Sequence, residues 1–241
     1  MESTSVILGS MLVASSKAFA NALNAASLGL SALAYQRETF RDDDHVRIHP
    51  IITKGGNLVN VVPDEVVIET LVRAANKDAI ADAAAKTDRA FKAGAIAVGA
   101  SCEVTTMPGY LPALSEKADA SVLTAAEIAA QTSEKDYQIV QEDTHAYSGG
   151  STDVGDVQHL QPVLTFNTGG KVSGLHSVDF DIVDEELAYV VTAKIFALSA
   201  YRLLRDRAVK AKEIVANYQP IFTKEEYIKY MDSFIKTETY S

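Results

Sequence analysis

The chain has 241 residues, 47% hydrophobic and 22% charged, a composition that allows a soluble globular protein with a sizeable core. Its net charge of −10 argues against a nucleic-acid partner, because phosphate binding needs clustered Lys and Arg. The single cysteine, Cys102, excludes an intramolecular disulfide and a cysteine-based zinc site.

No run of consecutive apolar residues reaches the ~18 needed to span a bilayer, so no membrane partner is expected. Val6 to Ala14 is apolar, and Ala18-Phe19-Ala20 resembles a cleavage site. Glu2, however, stands where a signal peptide carries positive charge, and no Lys or Arg precedes Lys17. The expectation is a cytoplasmic protein.

Residues 5–14 read as a short apolar strand. Phe19, Leu23, Ala26, Leu30 and Leu33 then recur at helical spacing, which predicts a helix over 16–36. The acidic run Asp42-Asp43-Asp44 reads as a solvated loop. Residues 46–53 are β-branched and alternating, Gly55-Gly56-Asn57 signals a turn, and 65–73 is a second such strand. In it Val66, Ile68 and Val72 share one face, while Glu69 and Arg73 share the other. Asn76 is placed to cap a helix whose apolar stripe is Ile80, Ala84, Phe91, Ala95 and Val98. A strand over 101–107 ends at Pro108-Gly109.

The order over residues 5–107 is β-α-β-β-α-β. It predicts the split βαβ, ferredoxin-like arrangement, one antiparallel sheet with both helices on one face. Residues 108–121 read as a linker. Beyond it a helix near 122–131, strands near 136–141 and 162–167 and a long helix over 185–216 are expected. Thr223 and Glu226 fit a capping box for a terminal helix. The fold class is α+β, and the second part reads as half of a larger α/β domain.

The five histidines, His45, His49, His145, His159 and His176, show no HExxH, HxH or HxD spacing. His45 and His49 are four apart, but Pro50 and the strand pattern argue against a shared helix face. His176 follows a glycine turn, on a loop suited to entering a cleft. Ser151-Thr152-Asp153-Val154-Gly155-Asp156 reads as a polar loop without the calcium-loop pattern. Gly169-Gly170-Lys171 lacks the spacing of a phosphate loop. Cys102 reads as a packed small hydrophobe. Glu185-Glu186 and Glu225-Glu226 suit helix starts. A guanidinium and an amide converging on a carboxylate, as Arg73 and Asn60 would supply, make a sensible recognition pair, although from spacing alone a surface Arg and a turn Asn is the better reading.

Several longer strings are more specific: Arg47-Ile48-His49-Pro50-Ile51-Ile52-Thr53-Lys54-Gly55-Gly56, Val59-Asn60-Val61-Val62-Pro63 and Val72-Arg73-Ala74. Together they resemble the lid domain of dizinc amidohydrolases of the aminoacylase and carboxypeptidase-G type, nearest the aminobenzoyl-glutamate hydrolase (utilization protein B) group. Pro108-Gly109-Tyr110-Leu111-Pro112, Ser151 to Val157, the His176 segment and the tail through Tyr227 fit that branch too. The resemblance implies a lid and dimerisation domain over 1–112, followed over 113–241 by the C-terminal, incomplete segment of a zinc-hydrolase catalytic domain. It implies His176 as a metal ligand, and Asn60 and Arg73 as residues holding the substrate carboxylate or developing oxyanion. It also implies a homodimer through the lid.

The departures are equally plain. The family's first half, with most metal ligands and the general-base glutamate, has no counterpart here. The lid histidine that acts across the dimer is missing from Gly9 to Ala20. One remaining ligand cannot hold zinc tightly, since a catalytic site uses about three protein ligands per metal. The chain alone is therefore expected to be inactive on N-acyl or aminobenzoyl amino acids. The competing expectations are a non-catalytic dimerisation or binding module, and half of a split hydrolase completed by another chain.

Overall fold

A computed structural model describes residues 2–3, 6–15, 20–114, 120–140, 147–148, 152–174 and 176–240. Phe19, His145, Gly149 to Ser151 and Leu175 lie outside them. In chain order the main elements are β1 (Val6–Ser15), α1 (Ala22–Tyr35), β2 (Arg47–Lys54), β3 (Glu65–Ala74), α2 (Lys77–Ala97), β4 (Ser101–Pro108), α3 (Ala120–Gln131), α4 (Val154–Gln158), α5 (Thr192–Asn217), α6 (Lys224–Asp232) and β5 (Lys236–Tyr240). Helix and sheet are mixed, in two compact units. The first comprises Glu2–Leu114, Tyr147–Leu160 and Ile221–Ser241, and the second Ser115–Ala146 and Gln161–Pro220.

In the first unit the strands lie in the order β2-β3-β1-β4-β5, every neighbouring pair antiparallel. Strand β3 shows why one face is covered. Val66, Ile68, Thr70, Val72 and Ala74 are buried, whereas Glu69 and Leu71 between them are exposed. The buried side lies under α1 and α2: Val66, Ile68, Cys102 and Val104 pack with Ala25, Ala26, Leu33, Phe91 and Ala95. Val66, Ile68, Val72 and Val104 are fully buried. Each contributes about 1.5–3 kcal/mol relative to exposure.

Both helices are capped by asparagine. Asn21 Oδ1 accepts from Leu23 N at 2.9 Å, and Asn76 Oδ1 from Ala79 N at 2.9 Å. The Asn21 cap starts α1 at Ala22, later than its periodicity suggests. The helices cross where Gly94 lies against the Ala25 and Gly29 backbone, leaving no room for a Cβ.

The C-terminal residues join this unit. Thr223 Oγ1 accepts from Glu226 N at 3.2 Å, while Thr223 N donates to Glu226 Oε2 at 2.8 Å, a complete capping box. Helix α6 brings Met231 against Val72, Ala79, Ile80 and Leu111. Strand β5 then pairs with β4 from Cys102↔Tyr240 to Thr106↔Lys236.

In the second unit Val122, Ala125 and Ala129 of α3 pack against Val191 and Ile195. Three sequence expectations need correction here. Residues 136–140 and 162–167 form no strand. Leu164, Phe166 and Tyr137 do pack into the small core, but among the described residues no segment pairs with them in a ladder. The long helix is also not uniform. Glu186–Val191 is a π turn, and Asp206, Arg207 and Ala208 take left-handed φ of 54°, 60° and 59°, so α5 is two helical stretches. Among the described residues Glu186–Asn217 is nonetheless long and apolar enough, by length and composition alone, to cross a membrane. Lys194 and Arg202 interrupt its apolar run.

Candidate functional site

Asn60 lies in the exposed loop between β2 and β3. Gly56, at φ 132°, opens this loop with a conformation side chains rarely adopt, and Val61 N donates to Leu58 O at 3.2 Å to tighten it. Arg73 sits near the end of β3, on the helix-free face of the sheet, opposite in parity to Val72 and Ala74. It is half-buried, and its Nε is buried without a hydrogen-bond partner. A buried, unpaired guanidinium nitrogen is costly, and an anion relieves the cost.

His176 belongs to the second unit, so it is described separately from Asn60 and Arg73. It is exposed, on a turn, with left-handed φ of 66°. The following residues are held locally: Ser177 Oγ donates to the Asp179 carboxylate, which helps hold that group below the usual carboxylate range. Downstream, Asp184 accepts from Lys135 Nζ at 2.9 Å and from Tyr137 Oη at 3.0 Å. Burial and the Asp184 carboxylate push the Tyr137 phenol up to about 12.

His45 ends a 3₁₀ turn with φ 46° and is exposed. His49 is exposed on β2. His159 is buried, with Nδ1 2.8 Å from Gly155 O and its ring stacked on Phe222. Among the described residues no group of three or more His, Cys, Asp or Glu is placed to hold a metal ion. The donor set of this chain, so far as it is described, does not fit a dinuclear metal centre. Cys102 is buried on the helix-covered face, and burial pushes its thiol above its ordinary value, as expected of a packing residue rather than a nucleophile.

Two features escaped sequence reasoning. The loop expected at 151–156 contains a helical turn, α4, that clamps the segment after β4. Leu111 N donates to Asp156 Oδ1 at 2.7 Å, and Leu114 N to Gln158 Oε1 at 2.8 Å. Gly155 touches the Leu111 backbone so closely that a Cβ would collide with it. Burial raises the Asp156 carboxyl, against the Leu111 N–H and the Tyr227 hydroxyl that lower it. The second feature is Arg47, which β2 places directly opposite Arg73. Alternation within each strand gives both parities but not the register between strands, so nothing in the sequence pairs these two residues.

No family model and no curated protein matches the sequence. Solved structures do match. The YxeP protein of Bacillus subtilis, a dinuclear metal binding peptidase from the M20 family, is 24% identical with a TM-score of 0.53, over 84% of this chain and 51% of that one. Aminopeptidase PepT of Bacillus cereus is 19% identical with a TM-score of 0.50, over 83% of this chain and 54% of that one. An aminobenzoyl-glutamate utilization protein of Klebsiella pneumoniae matches 54% of this chain and 34% of that one at 14% identity and a TM-score of 0.40, too low to argue for a branch. The chain spans about half the length of the two peptidases. Over that half, its fold is that of the M20 peptidases.

Proposed function

We propose that the chain is the lid and C-terminal portion of a cytoplasmic, metal-dependent amide hydrolase related to the aminobenzoyl-glutamate hydrolases, and that alone it is catalytically silent. The observation that carries this reading is the likeness to an M20 dinuclear metal peptidase across 84% of this chain and only 51% of the peptidase. The β2-β3-β1-β4 order, with both helices on one face, supports a ferredoxin-like lid over residues 1–112. Residues 113–241 then form the C-terminal segment of an α/β catalytic domain, with α6 and β5 returning to the lid sheet. Asn60 and Arg73 hold the carboxylate end of an N-acyl amino acid, and His176 is a single residual ligand of the zinc site.

Activating water on a metal needs several converging ligands and their supporting hydrogen bonds. His176 does not supply them by itself, and no catalytic step is assigned to this chain. The test is metal analysis and amide hydrolysis on one purified sample. Less than stoichiometric zinc and no turnover of N-acyl amino acids or aminobenzoyl-glutamate are expected. Tightly held zinc together with activity lost in His176→Ala would overturn the reading.

Two specific observations favour the other readings. Among the described residues strand β2 is an open sheet edge, which suits a dimerisation module. Phe196, Tyr201 and Leu204 of α5 are each more than 60% exposed, which suits a second polypeptide completing the catalytic half. Co-purification of a zinc-containing partner chain separates the second of these from the first.

A further inference from the structure

We infer that a band of ordered water lies between α2 and the sheet, held by Thr70, Thr106 and Asp88 and closed at the sheet edge by Lys236.

Thr70 of β3 and Thr106 of β4 both pair with Ser10 of β1, and Thr106 pairs on its other side with Lys236 of β5. Thr70, Thr106 and Lys236 therefore stand in one row across the sheet, with neighbouring strands about 4.8 Å apart. Both threonines share the parity of the buried Val72 and Val104, so they face the helices. Over this row α2 presents Thr87 and Asp88, which fall in the gap between two apolar clusters. Ile80 and Ala84 pack with Val72 on one side, and Phe91 packs with Ile68 and Val104 on the other. Lys236 Nζ reaches Asp88 Oδ2 at 3.4 Å, which places Asp88 over the β4–β5 end of the row.

The band is short of hydrogen-bond partners. Thr70, Thr106 and Asp88 are each at most 7% exposed, yet Thr70 Oγ1, Thr106 Oγ1 and Asp88 Oδ1 meet no partner among the described residues. Thr87 Oγ1 donates to Ala83 O at 2.8 Å and keeps its lone pairs for another donor. Leaving several buried oxygens dry is costly, and internal water is the usual way such groups are met. Hydroxyls that donate and accept, beside a carboxylate oxygen that accepts, supply the roughly two to four partners a buried water needs. Phe91 and Ile80, among the largest fully buried side chains, hold α2 off the sheet on either side, so the shorter threonines and Asp88 leave room between. A cation fits less well, because the band has one carboxylate and the Lys236 ammonium already stands against it.

Oxygen-17 magnetic relaxation dispersion on the full chain tests this, since it counts long-lived internal waters and is blind to exchanging hydroxyl protons. Thr70→Val and Thr106→Val keep the side-chain shape and remove the hydroxyls. Together they are expected to lower the count by about one or more, whereas Thr70→Ser with Thr106→Ser does not lower it. An unchanged count in the valine pair overturns the inference, and a higher melting point would then mark the hydroxyls as dry. The inference also falls if the unaltered chain melts higher in sodium chloride than in choline chloride at equal ionic strength and the valine pair loses that difference, which assigns the band to a cation. Circular dichroism confirms the fold of each variant, and Thr106→Val alone is read in the same way should the valine pair fail to fold.

Discussion

Asp88 is a charged residue at a packed position. It is 7% exposed on α2, its Oδ1 has no partner, and its Oδ2 meets Lys236 Nζ at 3.4 Å. Lys236 is drawn more closely to Glu238, at 2.7 Å. Burial therefore pushes the Asp88 carboxyl above its ordinary value, and Lys236 only partly offsets this. A carboxyl raised in the folded state binds its proton more tightly there than in the unfolded chain. Its stabilising contribution is complete below the ordinary value of about 3.9 and is lost as pH rises through the raised one. Asp88→Asn is accordingly expected to melt higher than the unaltered chain at pH 7. The difference should shrink as pH falls and vanish near pH 3. Paired thermal melts at several pH values check this, and a lower melting point for the variant at pH 7 contradicts it. Thr223 offers a simpler test at the same scale. Its hydroxyl caps α6, so Thr223→Ala should cost about 1 kcal/mol in denaturant unfolding.

At the scale of elements, the α1–α2 crossing depends on two glycines. A Cβ at Gly94 would run into the Ala25 carbonyl and Gly29 backbone, and one at Gly29 would come within 2.9 Å of Phe91 Cδ1. Gly94→Ala should therefore destabilise by about 1–3 kcal/mol despite the better helix propensity of alanine. Chemical denaturation measures it, and a stabilised variant would show that the helices separate freely. Elements β1 to β4 were legible because the hydrophobic period switches cleanly between two and three to four residues, with Asn76 and the Gly55-Gly56 turn as punctuation. Strand β5, Lys-Thr-Glu-Thr-Tyr, was not: it has a single aromatic, and its place is set by pairing with β4 through contacts such as Thr105 Oγ1 to Thr237 Oγ1 at 3.0 Å. The converse error came at 136–141 and 162–167, where apolar runs suggested strands but 136–140 and 162–167 pair with no other described residues. Among the candidate site residues, Asn60, Arg73 and His176 were singled out by resemblance, since their spacing alone fits surface residues. Arg47 became visible only through register.

At the scale of the molecule, the two edges of the five-stranded sheet are unequal. Strand β5 covers β4, and Lys92 Nζ lies 4.0 Å from the Tyr240 ring centroid, which helps to hold it there. Among the described residues strand β2 has no neighbour on its outer side, and Ile51 and Ile52 on it are 61% and 42% exposed. An open edge with exposed β-branched residues is a template for pairing with another strand. The partner proposed here is a second copy of the chain, related by a two-fold axis that brings β2 to β2. Sedimentation at micromolar concentration should find a dimer. Charges on an edge strand oppose such pairing, so Ile51→Lys with Ile52→Lys should give a monomer of unchanged circular dichroism. Deleting residues 236–241 should act differently. It uncovers β4 as a second edge, so the truncated chain is expected to lose stability and to form assemblies larger than the dimer. A monomeric unaltered chain would remove the dimer proposal. A truncated chain that stays dimeric would show instead that β4 needs no cover, and that β5 serves the packing of Lys236 and Tyr240 alone.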